Sequence, residues 1–287
     1  MMQPIAGGAT ANPFKTWYEA LGMEMFLRIA PELYLKRLLV GGFDKIFELN
    51  RNFRNEGLSR RHNPEFTMCE IYEAYGDVHS MMELIESLIT HLATTVMGTL
   101  EVGSAECRIN LERPWKVVPY ADAIREKAGN DWFDLSLEDA HRRAAELGVE
   151  VPPDMNPVEL TQEVFEKCIE KYVIDPIFFT RLPVELVPLA KRCPDDPSCV
   201  DVFELIIGGQ EIAPGYTELN DPLDQRARLL EQAGGDELRI DDDFLEAMEY
   251  GMPPAGGMGI GIDRLTMLLT GADSIRDVIL FPQMRPR

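Results

Sequence analysis

The stretch KIFELNRNFRNEGLSRRHNPEFTMCEIYEAY, residues 45–75, decides the fold. Its two ends alternate polar and apolar residues with the period of two that is typical of β-strands. The segment between them, residues 56–64, is basic and ends at a proline. We therefore predict two strands, Lys45–Asn55 and Glu65–Tyr75, joined by a basic loop.

The polar residues of the first predicted strand share one face, because side chains two residues apart point the same way. They occupy the even positions: Glu48, Asn50, Asn52, Arg54 and Glu56. On the second strand, one face carries Phe66, Met68, Glu70 and Tyr72. A solvated sheet face would explain the polar row alone. The combination of a flat ring, a carboxylate and a phenol favours the floor of a site for a nucleotide base beside a polar substrate.

The stretch GMGIGIDR, residues 257–264, is a second unusual segment. We predict a strand over 257–261 and a helix over 262–270. The alternating glycines, of which Gly261 is the last, indicate that something approaches the backbone closely. Neither GxGxxG nor GxxxxGKS/T is present, so the segment is not a dinucleotide fingerprint or a P-loop. A base or sugar over the glycines is one interpretation, and a helix packed on them is the other.

Two arginines accompany these segments although they lie far apart in the chain. Arg54 belongs to the first and Arg264 opens the helix after the second. Guanidinium groups match phosphate oxygens in both geometry and charge. If the two segments converge in the fold, the pair predicts a polyphosphate site.

Residues 202–219 predict a β-hairpin around a Gly-Gly pair. A two-residue turn would pair Ile206 with Glu211, and Glu204 with Ala213. Glu204 and Glu211 would then be diagonal neighbours, roughly 7–8 Å apart at the backbone. Two carboxylates this close repel unless a cation or a proton lies between them, and Mg²⁺ bound to phosphates is a natural occupant. The alternative is that both side chains point to water.

Composition limits the classes of function. The chain has 287 residues and a formal net charge of −21, which opposes broad nucleic-acid binding and attraction to an anionic membrane. A local basic patch around Arg60 and Arg61 is compatible with that charge. No apolar run approaches the roughly 18 residues of a membrane span, and no signal peptide is evident. Five cysteines without CxxC spacing predict reduced thiols in a cytoplasmic protein.

RNFRNEG and RHNPEFTMCEIY resemble the second motif of the class II aminoacyl-tRNA synthetases, and GMGIGIDRL resembles the third. APELYLKRL, GGQEI, TELNDP and SIRDVILFP are similar to the lysyl members of that family. The resemblance covers nearly the whole chain and is weakest over residues 100–175. It implies an α+β fold with an antiparallel sheet flanked by helices. We expect one catalytic domain, residues 1–287, and the helical pattern predicts an insertion within it at 120–180.

By this resemblance, the chain would form an adenylate from ATP and lysine with Mg²⁺ as cofactor. Arg54 and Arg264 would be catalytic: Arg54 would contact the α-phosphate and the lysine carboxylate, while Arg264 and His62 would reach the γ-phosphate. Glu56 would bind the adenine amino group. Phe66 would stack on the adenine ring, with Arg264 and the glycine strand on the other side. The metal ligands would be Glu204 and Glu211. For His62 alone, an ordinary loop histidine is the alternative.

The resemblance assigns lysine to the other half of the site. Its α-ammonium would bind the Gly8 backbone and the carboxylates of Glu32 and Glu70. The remaining residues would surround the side chain: Tyr72 and Glu218 at the ε-ammonium, and Tyr216 along the aliphatic stem. The alternatives are a helix-dipole role for Glu32 and a core position for Tyr72.

Three features depart from the family pattern. The chain begins where the family's first motif would be ending, and it lacks the N-terminal OB-fold that reads the anticodon. We therefore expect weakened tRNA charging, and any homodimer would need surfaces other than the usual ones. Pro214 stands where asparagine is common, and Val202 where arginine is usual. Strict alternation puts Glu218 opposite Glu211, so its assignment requires a break in register at Pro214-Gly215.

Three functions compete at this point. The leading interpretation is activation of lysine and transfer to tRNA(Lys). The second is a tRNA-independent relative that attaches a lysine-type group to elongation factor P. Such relatives tend to carry alanine in the glycine strand, where this chain has Gly259. The third is a non-catalytic synthetase-like module, which the presence of Arg54 and Arg264 disfavours.

Overall fold

A computed structural model describes residues 2–5, 7–9, 11–104, 107–234 and 240–284. The strands are β1 (Met2–Gln3), β2 (Lys15–Tyr18), β3 (Met23–Leu27), β4 (Lys45–Phe53), β5 (Glu65–Ala74), β6 (Glu101–Gly103), β7 (Arg108–Asn110), β8 (Lys116–Pro119), β9 (Ile177–Thr180), β10 (Val202–Ile207), β11 (Gln210–Thr217) and β12 (Ala255–Gly261). The helices are α1 (Glu32–Val40), α2 (Val78–Leu92), α3 (Tyr120–Ala128), α4 (Leu137–Glu146), α5 (Pro157–Cys168), α6 (Pro222–Gln232), α7 (Asp242–Glu249) and α8 (Ile262–Thr270).

The central layer is a seven-stranded sheet in the order β4-β5-β12-β11-β10-β9-β8. All neighbouring pairs are antiparallel except β8 and β9, which are parallel. The predicted α+β fold is confirmed. The parallel pair was not predicted, and it requires a long crossover. Helices α3 to α5 provide that crossover, and their treatment as an inserted subdomain at 120–180 stays a prediction.

The two strands predicted from residues 45–75 are β4 and β5. They pair antiparallel in an unbroken register from Lys45 opposite Glu73 to Phe53 opposite Glu65. The predicted strand and helix of the glycine segment are also present, as β12 and α8. Strong period-two alternation was therefore enough to locate these strands to within about two residues, as expected of such patterns.

The polar face of β4 points into the protein. Asn50 and Asn52 are buried, whereas Phe47 on the opposite face is 74% exposed. The N-terminal segment covers the polar face, and there Arg28 donates a hydrogen bond of 2.7 Å to the Glu48 carboxylate. A solvated polar face, the alternative from sequence, is therefore wrong for this strand.

The β10-β11 hairpin turns at residues 208–209, two glycines with φ of 60° and 69°. A two-residue hairpin turn of this kind needs positive φ at both positions, and glycine adopts it without a steric penalty. Ile206 pairs with Glu211, as predicted.

A β-bulge follows the turn on β11. Glu204 pairs with Pro214, and the predicted pairing with Ala213 is wrong. Ala213 instead pairs with Leu205, which leaves Ile212 as an extra residue without a partner in the register. The bulge therefore shifts every later residue of β11 by one position relative to the predicted pairing.

The two faces of the sheet are covered differently. On one face, α2 and α8 bury a core that includes Ile85, Phe203 and Ile260. On the other face, α1 and α7 pack near Tyr72 and Tyr216. A third core fills the crossover helices. In the part of the chain that the structure describes, no helix is both long and apolar enough to span a membrane.

Candidate active site

One face of the sheet gathers most of the predicted site residues. Strand pairing decides this, because directly paired residues share a face. Tyr72 and Tyr216 both pair with Gly257, and Glu70 pairs with Gly259. The sheet residues on this face are Phe66, Glu70, Tyr72, Glu204, Glu211, Tyr216 and Gly261.

The bulge brings Glu218 to this face as well. It changes the alternation at Ile212, so Glu211 before it and Tyr216 after it point the same way. The required break in register therefore exists, but it lies at Ile212 and not at Pro214-Gly215.

Arg54 lies just beyond the end of β4, next to Phe66. Its guanidinium carbon is 5.1 Å from the centre of the Phe66 ring, and its Nε donates to the Ile29 carbonyl at 3.4 Å. Burial lowers the pKa of Arg54, and the carboxylates of Glu211 and Glu56 oppose this effect. An arginine remains charged even so, and this position provides a cation at the centre of the face.

Arg264 occupies the opening turn of α8. Its Nη1 donates to the Glu211 carbonyl at 2.8 Å, and its Nη2 donates to Nε2 of His62 at 3.0 Å. Burial and the charge of Arg264 lower the pKa of His62, so the imidazole is neutral at pH 7. Ser59 contacts the other ring nitrogen at 2.8 Å. The charge of Arg264 also acts on Arg54, so the predicted convergence of the two arginines is present, with His62 beside Arg264.

Glu211 lies close enough to Glu204 for its charge to act on the Glu204 carboxyl. Burial and then the charge of Glu211 raise the pKa of Glu204, to which Glu170 and Glu166 add smaller effects. Burial also raises the pKa of Glu170 to about 7, with Glu211 adding to it. Sequence reasoning missed Glu166 and Glu170, since both lie on the crossover and no spacing links them to the hairpin.

The carboxylates of Glu204 and Glu211 fit a Mg²⁺ ion that takes most of its ligands from phosphate and water. Among the described residues, no three acidic, histidine or cysteine side chains converge as a metal cluster. Two carboxylates plus phosphate oxygens and water are nevertheless the usual Mg²⁺ environment in nucleotide sites. Burial is the larger cause of the raised pKa of Glu204, and a cation between it and Glu211 would relieve the smaller effect, their repulsion.

The second half of the face is a buried pocket of carboxylates and phenols. Tyr72 donates to Glu70 Oε2 at 2.9 Å, and Tyr216 donates to Glu32 Oε1 at 2.6 Å. Burial raises the pKa of both Glu70 and Glu218 to about 8. The five side chains assigned to the substrate lysine from sequence therefore lie together.

Lys36 is the residue of this pocket that sequence reasoning missed. Its ammonium lies 2.6 Å from Glu32 Oε1 and 2.5 Å from Glu218 Oε2. The available signal was its spacing of four from Glu32, which places both side chains on one face of α1. That spacing does not reveal Glu218, which comes from a segment more than a hundred residues away.

Two glycines border the pocket closely. Gly8 has a φ of 87°, and a Cβ on it would lie 3.5 Å from Cβ of Glu32. A Cβ on Gly257 would overlap Glu218 Oε1 and lie 2.6 Å from Cδ1 of Tyr72. Both positions let the backbone approach the polar groups, and at Gly257 this is the close approach that the glycine pattern of β12 predicted.

Three residues singled out from the sequence remain: Glu56, predicted to bind adenine, and Val202 and Pro214, which depart from the family pattern. Glu56 is exposed, and its charge acts on Arg54 and His62. Val202 is buried in the core of the crossover helices, which explains an apolar residue at this position. Pro214 pairs with Glu204 in the hairpin and has no N–H to donate.

Comparison with known proteins identifies the family of the chain. A sequence model of the tRNA synthetases class II (D, K and N) matches residues 1–285. The chain belongs to this family. The predicted family membership is confirmed over residues 1–285.

Two individual relatives show which members of the family the chain is similar to. The lysine–tRNA ligase of Carboxydothermus hydrogenoformans is 55% identical over 294 residues, which cover 100% of this chain and 60% of the relative. The lysine–tRNA ligase of Bacillus subtilis is 52% identical over 293 residues, which cover 100% of this chain and 59% of the relative. The chain thus spans about three fifths of the length of the curated relatives it matches.

Proposed function

We propose that the chain activates lysine with ATP to form lysyl-adenylate and pyrophosphate, and transfers the lysyl group to tRNA(Lys). One observation carries this proposal: a pocket of buried carboxylates and phenols shares one sheet face with Arg54, Arg264 and the Glu204–Glu211 pair. An amino acid with two ammonium groups and a nucleotide triphosphate are complementary to these two halves. The names of the relatives support the same assignment.

The chemistry needs no general base. The lysine α-carboxylate has a solution pKa of about 3.5, so it is already an anion at neutral pH. It attacks the α-phosphorus as the bond to the β-phosphate oxygen breaks. The obstacle is the approach of an anion to a polyanion, and Arg54 and Arg264 would offset that charge. Glu204 and Glu211 would hold a Mg²⁺ ion, which neutralises phosphate charge when bound.

The nucleotide base would lie against Phe66 and the end of the glycine strand at Gly261. Arg264 would cover its other side, and Glu56 would accept a hydrogen bond from the adenine amino group. His62 would reach the γ-phosphate. Since His62 is neutral in the ligand-free protein, a phosphate nearby would favour its protonated form.

The substrate lysine would place its α-ammonium between Glu32, Glu70 and the Gly8 backbone. Its ε-ammonium would contact Glu218 and the Tyr72 hydroxyl, with Tyr216 along its stem. An amino acid without the second ammonium would leave a buried carboxylate unpaired. That penalty is on the order of several kcal/mol, which is enough for strong discrimination.

The competing enzyme functions differ in the acceptor of the activated amino acid, which is tRNA in one and elongation factor P in the other. Relatives named as lysine–tRNA ligases favour tRNA over elongation factor P. Gly259 agrees with this choice, because the relatives that modify elongation factor P tend to carry alanine in this strand. An alanine Cβ there would lie 2.9 Å from the Met68 methyl group. We also propose a cytoplasmic location, which the five free thiols support.

The test is amino-acid-dependent exchange of pyrophosphate into ATP, run with each of the twenty amino acids. We expect exchange with lysine and at least tenfold less with any other. Transfer assays with tRNA(Lys) and with elongation factor P then identify the acceptor. Absence of lysine-dependent exchange in the presence of Mg²⁺ would refute the proposed activity, and transfer to elongation factor P alone would refute the proposed acceptor.

A further inference from the structure

Lys36 places a fixed positive charge inside the pocket proposed for lysine. The side chain is 0% exposed, and its ammonium bridges Glu32 and Glu218. The ring of Tyr216 lies 5.6 Å from the same nitrogen. Lysine is almost never fully buried unless it is paired. The pocket therefore contains an internal ammonium group before any substrate enters.

Glu218 has one oxygen left for a ligand. Its Oε2 faces Lys36, whereas its Oε1 lies against Gly257. Apart from the ion pair, neither oxygen has a hydrogen-bond partner among the described residues, although the side chain is fully buried. A buried acceptor without a donor is unfavourable. The free oxygen thus points to a ligand that brings its own N–H groups.

The charges around Glu218 can be counted. Glu32 and Glu70 are the other carboxylates that act on it, and Tyr72 and Tyr216 are its phenolic neighbours. There are two cations. Lys36 acts directly on Glu218, and Arg54 acts on the neighbouring carboxyl of Glu70. With every group ionised except the phenols, three negative charges face two positive ones. The pocket is then short of one positive charge.

We infer that Lys36 is a specificity-determining positioning residue, an internal counter-ion that favours the ionised form of Glu218 and matches the pocket to a substrate of net charge +1. This inference rests on the proposed activation of lysine, which carries two ammonium groups and one carboxylate at neutral pH. Lys36 does not replace the substrate ammonium. It takes one oxygen of Glu218 and leaves the other for the ε-ammonium.

The inference has a consequence for pH dependence. Burial raises the pKa of Glu218, and the charge of Lys36 is the strongest influence that opposes this. Without Lys36, the Glu218 carboxyl would hold its proton to a higher pH. The substrate would have to displace that proton, so its use would fall at neutral pH and recover as the pH rises.

The experiment compares Lys36→Met with the unmodified chain by lysine-dependent pyrophosphate exchange between pH 6.5 and 9. The ratio of their kcat/KM values for lysine is taken at each pH, so that ionisation of the substrate itself cancels. We expect a loss of about tenfold or more at pH 7, the effect of roughly one pKa unit. The loss should shrink at least threefold by pH 9, while KM for ATP stays within about twofold, since Lys36 contacts no phosphate-binding residue.

Two further variants separate charge from packing. Lys36→Arg keeps the charge and should restore the pH profile of the unmodified chain. In a Glu218→Gln background, Lys36→Met should add much less pH dependence, because only the smaller effect of Lys36 on Glu70 remains. If Lys36→Met does not fold, Lys36→Gln removes the charge while keeping a polar group and is measured in the same way.

The outcomes distinguish this inference from the proposed function. A ratio that is constant with pH, or a pH shift of undiminished size in the Glu218→Gln background, would overturn the role of Lys36 and leave lysine activation intact. An unmodified chain that shows no lysine-dependent exchange would overturn the proposed function itself.

Discussion

Arg54 and Arg264 are held by contacts that leave part of each guanidinium free for an anion. Among the described residues, Arg54 donates a side-chain hydrogen bond only from Nε, to the Ile29 carbonyl. Arg264 is fixed to the Glu211 carbonyl and to His62. Such preorganised donors stabilise developing charge at little reorganisation cost.

We predict that Arg54→Ala or Arg264→Ala lowers lysine-dependent pyrophosphate exchange by about 10²–10³-fold, the usual cost of losing one transition-state contact. Steady-state exchange kinetics measure this loss. Arg125→Ala is the matched control, because Arg125 forms an exposed ion pair with Asp122 in the crossover. Exchange near the level of this control in either variant would contradict the assigned role.

Glu218→Gln isolates the ε-ammonium contact. The substitution keeps the shape of the side chain and removes the charge that the substrate would meet. We predict a rise in KM for lysine of about tenfold or more, with KM for ATP little changed, since a charged hydrogen bond contributes roughly 1.5–3 kcal/mol. Glu249→Gln on the exposed surface is the control. Equal losses for lysine and ATP would argue for a general structural role.

At the scale of elements, substitutions in β12 test why its glycines alternate. We predict that Gly257→Ala raises KM for lysine strongly, because the new methyl group would overlap Glu218 and Tyr72. Gly259→Ala should have a smaller effect, since its nearest neighbour is the flexible Met68 methyl group at 2.9 Å. Gly57→Ala, which meets open space, serves as control. The reverse order of the two β12 variants in lysine kinetics would count against this account.

The strands could be predicted from sequence because their alternation of polar and apolar residues is strong. The segments that cover them could not be predicted. Period-two patterns located β4, β5 and β12, whereas the inward direction of the polar face of β4 depends on Arg28 and the N-terminal segment that cover it. The pairing of Ile206 with Glu211 followed from the turn. The bulge at Ile212 did not, since no local residue pattern specifies it.

At the scale of the whole molecule, the buried carboxylates link stability to pH. The pKa of Glu70 and of Glu218 is about 8 in the folded protein, against an ordinary value of 4.5. Between these values the folded protein holds protons that the unfolded chain has released. The contribution of these groups to the free energy of unfolding is therefore greatest at low pH and falls as pH rises through this window.

Lysine should offset that loss. We predict that saturating lysine raises Tm more at pH 8 than at pH 6, because at the lower pH it must displace protons from Glu70 and Glu218. Thermal unfolding with and without lysine at both pH values measures the difference. Glu218→Gln should show less of it than the unmodified chain. A larger Tm increase at pH 6 would contradict this linkage.

Family membership and most residues of the candidate site could be predicted from motifs, but the charge balance of the pocket could not. Glu32, Glu70 and Glu218 belong to separate segments whose resemblance to a known family was readable. Lys36 looks like one of many surface lysines on an amphipathic helix. Its burial follows only from the packing of α1 against the sheet, which places its ammonium beside Glu218.

The extra residue at Ile212 also constrains how this chain tolerates insertions and deletions. Removing it would give β10 and β11 a regular ladder and improve their pairing locally. The pairs on either side of the bulge would remain, Glu211 with Ile206 and Ala213 with Leu205, so Tyr216 and Glu218 would stay on the site face. A single insertion beside the bulge would instead turn Tyr216 and Glu218 to the opposite layer unless a second unpaired residue absorbed it, because side-chain direction in a strand changes with each residue.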